Sequence, residues 1–326
     1  MVTIEFDWTH MAENKRTPTR TYTFGSGKRE SHDSSHFYSR FVPPKTDQNQ
    51  DVCPSDMRSG YDKIHCADIR EQKHQIPANS VALVVTSPPY FAGKEYEIDK
   101  PSNPSTTDYE QYLKMLTEVF AVCVEALEPG GRMAVNVANL GRKPYRSLSS
   151  DVISILQNDL SLLLRGEIIW QKSKGAAGNC AWGSFRKASN PVLRDITERI
   201  VVASKNRFDR ALSTKERSQC GLPYLSTIGR DEFMESTLDI WEFPPEKAKA
   251  VGHPAPFPIE LPKRLIELYT YEGDIVLDPF MGSGSTAVAA VRTKRHFIGF
   301  DTDPNYVEAA KKRLAAELGA AQEGSI

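Results

Sequence analysis

Ser87 and Tyr90 are separated by two prolines and follow directly after an apolar run, VALVVT, that begins at Val81. The run predicts a short strand buried on both faces, because successive side chains of a strand point to opposite sides and nearly all of these are apolar. The prolines cannot donate ladder hydrogen bonds and stiffen the turn that follows. The sequence therefore predicts a rigid hydroxyl and a rigid aromatic ring in the crevice beyond a strand end, where open α/β sheets bind ligands.

A second apolar strand, 275–277, leads into Asp278-Pro279-Phe280-Met281-Gly282-Ser283-Gly284-Ser285. Glycines such as Gly282 and Gly284 permit close backbone approach to a ligand and unusual backbone angles. The stretch lacks the lysine of a phosphate-binding P-loop and the third glycine of a dinucleotide site. We interpret it as a cofactor loop that lies beside the Ser-Pro-Pro-Tyr substrate loop.

The sequences TSPPY and DPFMGSGS, in that order, resemble the amino-group DNA methyltransferases of the β arrangement, as found in restriction-modification systems. The resemblance extends over about residues 63–314. In that family a serine before Pro-Pro-Tyr accompanies methylation of cytosine N4, whereas an aspartate usually accompanies methylation of adenine N6. The resemblance implies S-adenosyl-L-methionine as the cofactor and double-stranded DNA as the substrate.

The site residues implied by this resemblance form three groups. The catalytic group is Ser87, Pro88, Pro89 and Tyr90; the cofactor-binding group is Asp68, Asp278, Phe280, Gly282, Gly284, Asp301 and His253; the DNA-binding pair is Arg186 and Lys187; no metal is expected. We expect Asp278 to accept a hydrogen bond from the methionine ammonium and Asp301 to bind the ribose hydroxyls. Asp68 is expected near the adenine, with the alternative that it caps a helix.

The implied chemistry is a direct in-line transfer to an amine whose lone pair is delocalised into the base. Acceptors at Ser87 Oγ and the Pro88 carbonyl would localise that lone pair toward the methyl group. Tyr90 would stack against a base extruded from the duplex, since a base inside the helix cannot reach a buried methyl donor.

The predicted elements give an α/β fold with a mixed, mostly parallel sheet. The resemblance implies that this is the Rossmann-like fold of S-adenosylmethionine-dependent methyltransferases, with a small target-recognition region. Strands are predicted at 63–66, 81–86, 132–137, 167–171, 199–203, 274–278 and 296–301, and helices from Asp108 to before 128 and at 148–164, 259–269, 286–292 and 305–318. No strand is left after 301 to complete the cofactor side of the sheet. The third strand must then come from 63–66, so the domain is circularly permuted.

The patterns and the resemblance together give five segments: a polar N-terminal extension (1–60), a catalytic half (61–204), a target-recognition region (205–250), a cofactor-binding half (251–318) and a tail (319–326). No regular element is predicted over 205–245, and the role of that region is implied by the resemblance. Residues 165–217 carry 12 Lys or Arg against 5 Asp or Glu, which favours a phosphate-contacting face over an ordinary solvated surface. The excess of positive charge supports DNA as the partner.

The composition narrows the protein class. No run of 18 apolar residues exists and the start of the chain has no apolar leader, which favours a cytoplasmic protein without membrane partners, nucleoid-associated and prokaryotic if the resemblance holds. The five cysteines form no Cys-x-x-Cys pair, which argues against a zinc site or a disulfide framework, and none follows a proline as C5-cytosine methylation would require. Two alternatives stay open, an adenine-N6 methyltransferase and a non-catalytic DNA-binding protein. A functional pairing with a restriction endonuclease is expected, and the chain is either a monomer or a homodimer.

Overall fold

A computed structural model describes residues 28–29, 32–33, 46–58, 60–90, 106–139, 145–172, 183–193, 195–246 and 257–323. The chain divides into two compact units, residues 1–45 and 46–326. In the first unit two short strands, β1 (Lys28–Arg29) and β2 (His32–Asp33), pair antiparallel. All further elements belong to the second unit.

The second unit is built on an eight-stranded sheet among the described residues. Its strands are β3 (Lys63–Cys66), β4 (Val81–Thr86), β5 (Leu127–Val137), β6 (Leu163–Gln171), β7 (Thr197–Ser204), β8 (Ile240–Glu242), β9 (Ile275–Asp278) and β10 (His296–Asp301). Their order across the sheet is β3-β10-β9-β4-β5-β7-β6-β8. Within this sheet β7 runs against its two neighbours and the other pairs are parallel, so the predicted mixed, mostly parallel sheet is confirmed.

The predicted permutation is also confirmed. Strand β3 lies parallel to β10, with Lys63 opposite Ile298 and Cys66 opposite Asp301. Strand β9 in turn joins β10 to β4. The carboxyl ends of β3, β10, β9 and β4 therefore meet along one edge of the sheet.

Helices cover both faces of the sheet. They are α1 (Thr106–Ala126), α2 (Leu148–Ser154), α3 (Thr214–Gln219), α4 (Arg230–Ser236), α5 (Glu260–Tyr269), α6 (Ser285–Arg292) and α7 (Pro304–Glu323). Val84 of β4 packs in a core with residues of α1 and α2, whereas Leu83 and Val85 pack in a second core with residues of α5, α6 and α7. This alternation explains why β4 is apolar along its whole length.

The region around α2 corrects one prediction. The helix predicted over 148–164 ends as α2 at Ser154 and continues only as a π-helical turn, Ile155–Asp159. Ser161 then adopts φ +55°, which reverses the chain and allows β6 to begin at Leu163. The apolar residues after 159 belong to the strand and not to the helix.

The region 205–250 corrects another. It contains α3, α4 and β8, where the sequence predicted no regular element. The β6–β7 pair is antiparallel, and β8 lies beyond β6 at the edge of the sheet. Several boundaries also differ: α1 begins at Thr106, β5 begins at Leu127 rather than at 132, and β6 begins at Leu163 rather than at 167.

A buried cluster of charges explains part of the basic segment. Arg210 and Arg217 each reach both Glu128 and Asp274, and these two carboxylates are fully buried. Arg58, from the stretch predicted to belong to the polar extension, binds Glu128 as well. These arginines form ion pairs inside the protein. The predicted phosphate-contacting face therefore has fewer positive charges than the composition of 165–217 indicates.

No helix in the described part of the chain is long and apolar enough to cross a membrane.

Candidate active site

A cavity of about 320 Å³ opens at the carboxyl edge of the parallel strands. Its walls combine the Ser-Pro-Pro-Tyr loop after β4, the loop after β9 and the turns after β3 and β10. Eight of the predicted site residues line it: Ser87, Pro88, Pro89, Tyr90, Asp68, Phe280, Gly282 and Asp301. The structure thus brings the predicted substrate loop and most of the predicted cofactor residues to one place.

The substrate loop is held from below by helix α1. Tyr112 of that helix donates a hydrogen bond to the Pro89 carbonyl. Tyr90 is only 7% exposed, and its hydroxyl points away from solvent into the protein. The two prolines restrict the backbone of the loop and Tyr112 anchors it, and both favour fixed positions for Ser87 and Tyr90.

Behind the loop lies a buried polar network that the sequence did not reveal. The Tyr90 hydroxyl is 2.7 Å from Ser87 Oγ and donates to Glu198 Oε2 at 3.0 Å. Asn136 Nδ2 donates to Glu198 Oε2 at 2.6 Å and to the Tyr90 hydroxyl at 3.0 Å. Lys172 Nζ donates to the other oxygen, Oε1, of Glu198 at 2.7 Å.

These three additional residues come from three neighbouring strands. Asn136 lies on β5, Glu198 on β7 and Lys172 follows β6 directly. The one signal in the sequence is a carboxylate near the start of a strand whose central residues are apolar, TERIVVAS. Buried charges are rare unless they are paired, so such a residue points to a partner but does not identify it.

Asp278 is fully buried behind the cavity and does not line it. Its Oδ1 accepts from Thr86 Oγ1 at 2.7 Å and from the Phe280 backbone N–H at 3.1 Å, and its Oδ2 accepts from Thr286 Oγ1 at 2.6 Å. Burial raises the pKa of Asp278 to about 6, although these hydrogen bonds oppose the shift. The expectation that Asp278 accepts directly from a ligand ammonium does not fit this geometry, because the carboxylate is fully buried and does not reach the cavity surface. The carboxylate instead ties β4 to the cofactor loop.

The two glycines of the loop differ in what they do. Gly282, at φ +51°, lines the cavity and donates its N–H to Asp301 Oδ2 at 2.8 Å. Gly284, at φ +83°, does not line it, and a Cβ there would lie 2.9 Å from Ala310 Cβ of α7. Gly284 is therefore required for the approach of α7 to the loop rather than for contact with a ligand.

Two carboxylates at strand ends face the cavity. Burial raises the pKa of Asp301, against the effect of its hydrogen bonds from the backbone N–H groups of Asp303 and Gly282. The guanidinium of Arg70 lowers the pKa of Asp68 through paired hydrogen bonds. Asp68 Oδ1 also accepts from the backbone N–H of Arg70, so it stabilises its own turn while it lines the cavity.

The remaining predicted residues lie elsewhere. Arg186 and Lys187 are exposed in a turn that Ser184 closes by hydrogen bonds to Asn190 and Lys187, and neither lines the cavity. His253 lies outside the described residues.

Comparisons with known proteins agree with this geometry. A family model described as DNA methylase matches residues 81–312. The type II methyltransferase M.BglI of Bacillus subtilis is 30% identical over 308 residues, which cover 77% of this chain and 85% of that protein. TTHA0409 of Thermus thermophilus, solved in complex with S-adenosyl-L-methionine, superposes with a TM-score of 0.61 at 28% identity, over 78% of this chain and 95% of that one. The PvuII DNA methyltransferase, described as cytosine-N4-specific, superposes with a TM-score of 0.58 at 21% identity, over 78% and 86% of the two chains, a likeness of fold.

Proposed function

The chain belongs to the DNA methylase family, and on that premise we propose that it transfers a methyl group from S-adenosyl-L-methionine to the exocyclic N4 amine of cytosine in double-stranded DNA. The observation that carries the choice of cytosine is Ser87, whose hydroxyl occupies the first position of the Ser-Pro-Pro-Tyr loop at the cavity. In the family that this sequence resembles, a serine there accompanies cytosine N4. The role as a type II enzyme, which protects DNA from a cognate restriction endonuclease, is proposed by analogy with M.BglI.

The charge and the volume of the cavity suit a cationic cofactor of the size of S-adenosyl-L-methionine. Three carboxylates line it, those of Asp68, Asp301 and Asp303, while the basic side chain in its described wall, Arg70, is already bound to Asp68 and Glu118. A volume of about 320 Å³ lies within the range of small-molecule sites. The acidic balance favours a ligand with a sulfonium and an ammonium group over a nucleotide with several phosphates.

Each wall of the cavity has its own task in this proposal. When bound, the cofactor supplies an electrophilic methyl group on a positively charged sulfur. Each oxygen of Asp301 accepts one backbone hydrogen bond and retains a lone pair, so the carboxylate can also accept from ribose hydroxyls. Phe280 and Met281 supply apolar wall area for the adenine.

The substrate loop acts on the amine. Ser87 Oγ and the Pro88 carbonyl accept the two amine hydrogens and hold the nitrogen lone pair on the line of displacement. In such a transfer the N–C bond would form as the S–C bond breaks, and the amine held by Ser87 Oγ and the Pro88 carbonyl would lose one proton to water. Tyr90 presents its ring to an extruded base, while its hydroxyl remains in the buried network.

Labelled S-adenosyl-L-methionine and amplified genomic DNA, which carries no methyl groups, test the proposal. Digestion of the product to nucleosides followed by mass spectrometry separates N4-methylcytosine from N6-methyladenine. We expect N4-methylcytosine, at a rate that falls in Ser87→Ala without loss of cofactor affinity. N6-methyladenine as the sole product would make the chain an adenine-N6 enzyme, and DNA binding without any transfer would make it a non-catalytic DNA-binding protein.

The restriction pairing has a separate test. Sequencing of the methylated DNA with a modification-sensitive readout gives the recognition site. We expect DNA modified by this enzyme to resist an endonuclease that cuts at that site, and cleavage at the unmodified rate would contradict the protective role.

A further inference from the structure

Glu198 is surrounded by hydrogen-bond donors. Lys172 has only N–H groups to offer, and the Asn136 amide presents Nδ2 to Glu198 Oε2 at 2.6 Å. The Tyr90 hydroxyl also donates to Oε2. Both oxygens of Glu198 are therefore acceptors, and the carboxylate fixes the orientation of every group that faces it.

The direction of the remaining hydrogen bonds follows from this. A tyrosine hydroxyl has a single hydrogen, and that of Tyr90 is directed to Glu198. In the short contact between Ser87 Oγ and the Tyr90 hydroxyl, Ser87 must then be the donor. With its hydrogen turned toward Tyr90 and one lone pair facing Asn136 Nδ2 at 3.5 Å, Ser87 has one lone pair left for another partner, and it lines the cavity.

The side-chain amide of Asn136 provides independent support, because its orientation is also determined by Glu198 and Tyr90. It is buried, and its Oδ1 has no hydrogen-bond partner among the described parts of the chain. A buried acceptor without a partner is costly. The amide keeps this orientation because both Glu198 and Tyr90 receive its N–H groups.

We propose that Glu198 is a positioning residue for methyl transfer: through Tyr90, it holds Ser87 as a hydrogen-bond acceptor toward the substrate amine. This inference rests on the proposed function, because it gives the Ser87 lone pair an amine to bind. It assigns to the Tyr90 hydroxyl a task separate from that of the ring. A Ser87 turned the other way would direct its own hydrogen at the amine and lose the interaction.

The substitution Glu198→Gln keeps the shape of the side chain but is expected to reverse the direction of the hydrogen bonds that run from Ser87 through Tyr90 to residue 198. Lys172 can only donate, so it takes the amide oxygen of the glutamine and leaves the NH₂ group facing Tyr90 and Asn136. Because two NH₂ groups would then face each other, the Asn136 amide rotates so that its Oδ1 accepts from the glutamine. Tyr90 accepts the other N–H of the glutamine and turns its own hydrogen toward Ser87, which then directs its hydrogen into the cavity. We expect the single-turnover methylation rate to fall roughly tenfold to a hundredfold, the range for one hydrogen bond to a charged or reacting group. The affinity for S-adenosyl-L-methionine, measured by calorimetry, is expected to stay within about twofold, because Glu198 does not line the cavity.

A second substitution provides a rescue that a merely structural role would not give. In Glu198→Gln combined with Lys172→Met, no ammonium holds the glutamine oxygen, and the amide can rotate to present that oxygen to Tyr90 and Asn136. The double variant should recover most of the rate lost in Glu198→Gln. Lys172→Met alone leaves the carboxylate facing Tyr90 and is expected to lose less activity than Glu198→Gln.

The assay is a rapid-quench single turnover with enzyme in excess over amplified, unmethylated genomic DNA. A wild-type rate in Glu198→Gln would overturn the inference, and so would a double variant no faster than Glu198→Gln. Glu198→Gln should also add little further loss to Ser87→Ala, since the residue acts only through Ser87; full additivity would count against it. Failure of the proposed function has a different signature, namely no methyl transfer to DNA by the wild-type protein.

Discussion

Asp278 should respond in opposite directions to two substitutions at the same position. Its carboxylate is fully buried and lies among two hydroxyls and one backbone N–H. Burial raises its pKa from 3.8 to about 6. A shift of about two units corresponds to roughly 3 kcal/mol of free energy that the folded protein loses when this group is ionised.

The sign of the pH dependence follows from the direction of the shift. Because the pKa is higher in the folded state, the folded protein binds the proton more tightly than the unfolded chain does. The contribution of this group to stability is therefore fully present below pH 3.8 and is lost as the pH rises through about 6. At pH 7.5 the destabilisation is about 3 kcal/mol, and at pH 5 it is about half of that.

Asp278→Asn removes the charge but can keep the hydrogen bonds, with Oδ1 accepting from Thr86 and Phe280 and the new NH₂ donating to Thr286. We expect it to stabilise the protein by up to about 3 kcal/mol at pH 7.5 and by about half as much at pH 5. Asp278→Ala leaves three buried donors without an acceptor, at about 1–3 kcal/mol each, which outweighs the gain from removing the charge. The alanine variant should therefore be less stable than the wild type by about 3 kcal/mol at pH 7.5.

Urea unfolding of the three proteins without added cofactor, at pH 7.5 and pH 5, measures these differences. The quantity of interest is the difference between Asp278→Asn and the wild type at each pH, since contributions from other titrating groups cancel in it. If the asparagine variant were destabilised as much as the alanine variant at both pH values, the carboxylate would be a favourable charge in the fold and this reasoning would be refuted.

Three further outcomes are expected. Tyr90→Ala should weaken retention of an extruded base by about 1–3 kcal/mol, because the stacking ring is lost. The measurement is the fluorescence of 2-aminopurine at the target position. Tyr90→Phe keeps the ring and should retain the base, and equal retention in both variants would rule out the stacking role. Gly284→Ala should destabilise the fold by about 1 kcal/mol or more, because the residue has φ +83° and its Cβ would meet α7, while Gly319→Ala, on an open part of that helix, should be neutral or stabilising in the same urea titration. Reversal of charge at Arg186 and Lys187 should reduce the slope of log affinity for DNA against log salt by about 2, and an unchanged slope would identify the turn as ordinary solvated surface.

The elements that the sequence predicted correctly are those whose hydrophobic pattern lies in consecutive residues. β4 and β10 follow from apolar runs, and β3 follows because a strand was missing from the sheet. The helix predicted to continue to 164 failed because the positive φ of Ser161 cannot be read from apolar spacing. β8 has three residues with one buried side chain, that of Trp241, which is too short for a period to be recognised.

The residues of the site likewise divide into those that the sequence could predict and those that it could not. The substrate loop and the strand-end carboxylates of Asp68 and Asp301 were predictable, because parallel strands place their carboxyl ends together. Glu198 was not, because it lies 108 residues from Tyr90 and 62 from Asn136, and a single sequence does not report distances in space. For Asp278 the position was predictable and the direction of the side chain was not, since packing against Thr86 and Thr286 determines it.

The position of β9 between β4 and β10 has a consequence for how the protein is made. Thr86 and Asp278 are 192 residues apart in the chain, so a ribosome needs on the order of 10–40 s to synthesise the partner of a strand that has already emerged. During that interval the open edge of β4 is an apolar template for unwanted pairing, which makes the nascent chain a candidate client for chaperones. When β9 inserts between β4 and β10, it brings the loop that would hold the cofactor and also forms the hydrogen bond from Thr86 to Asp278 beside the substrate loop. We therefore expect an incomplete chain that lacks β9 not to bind the methyl donor.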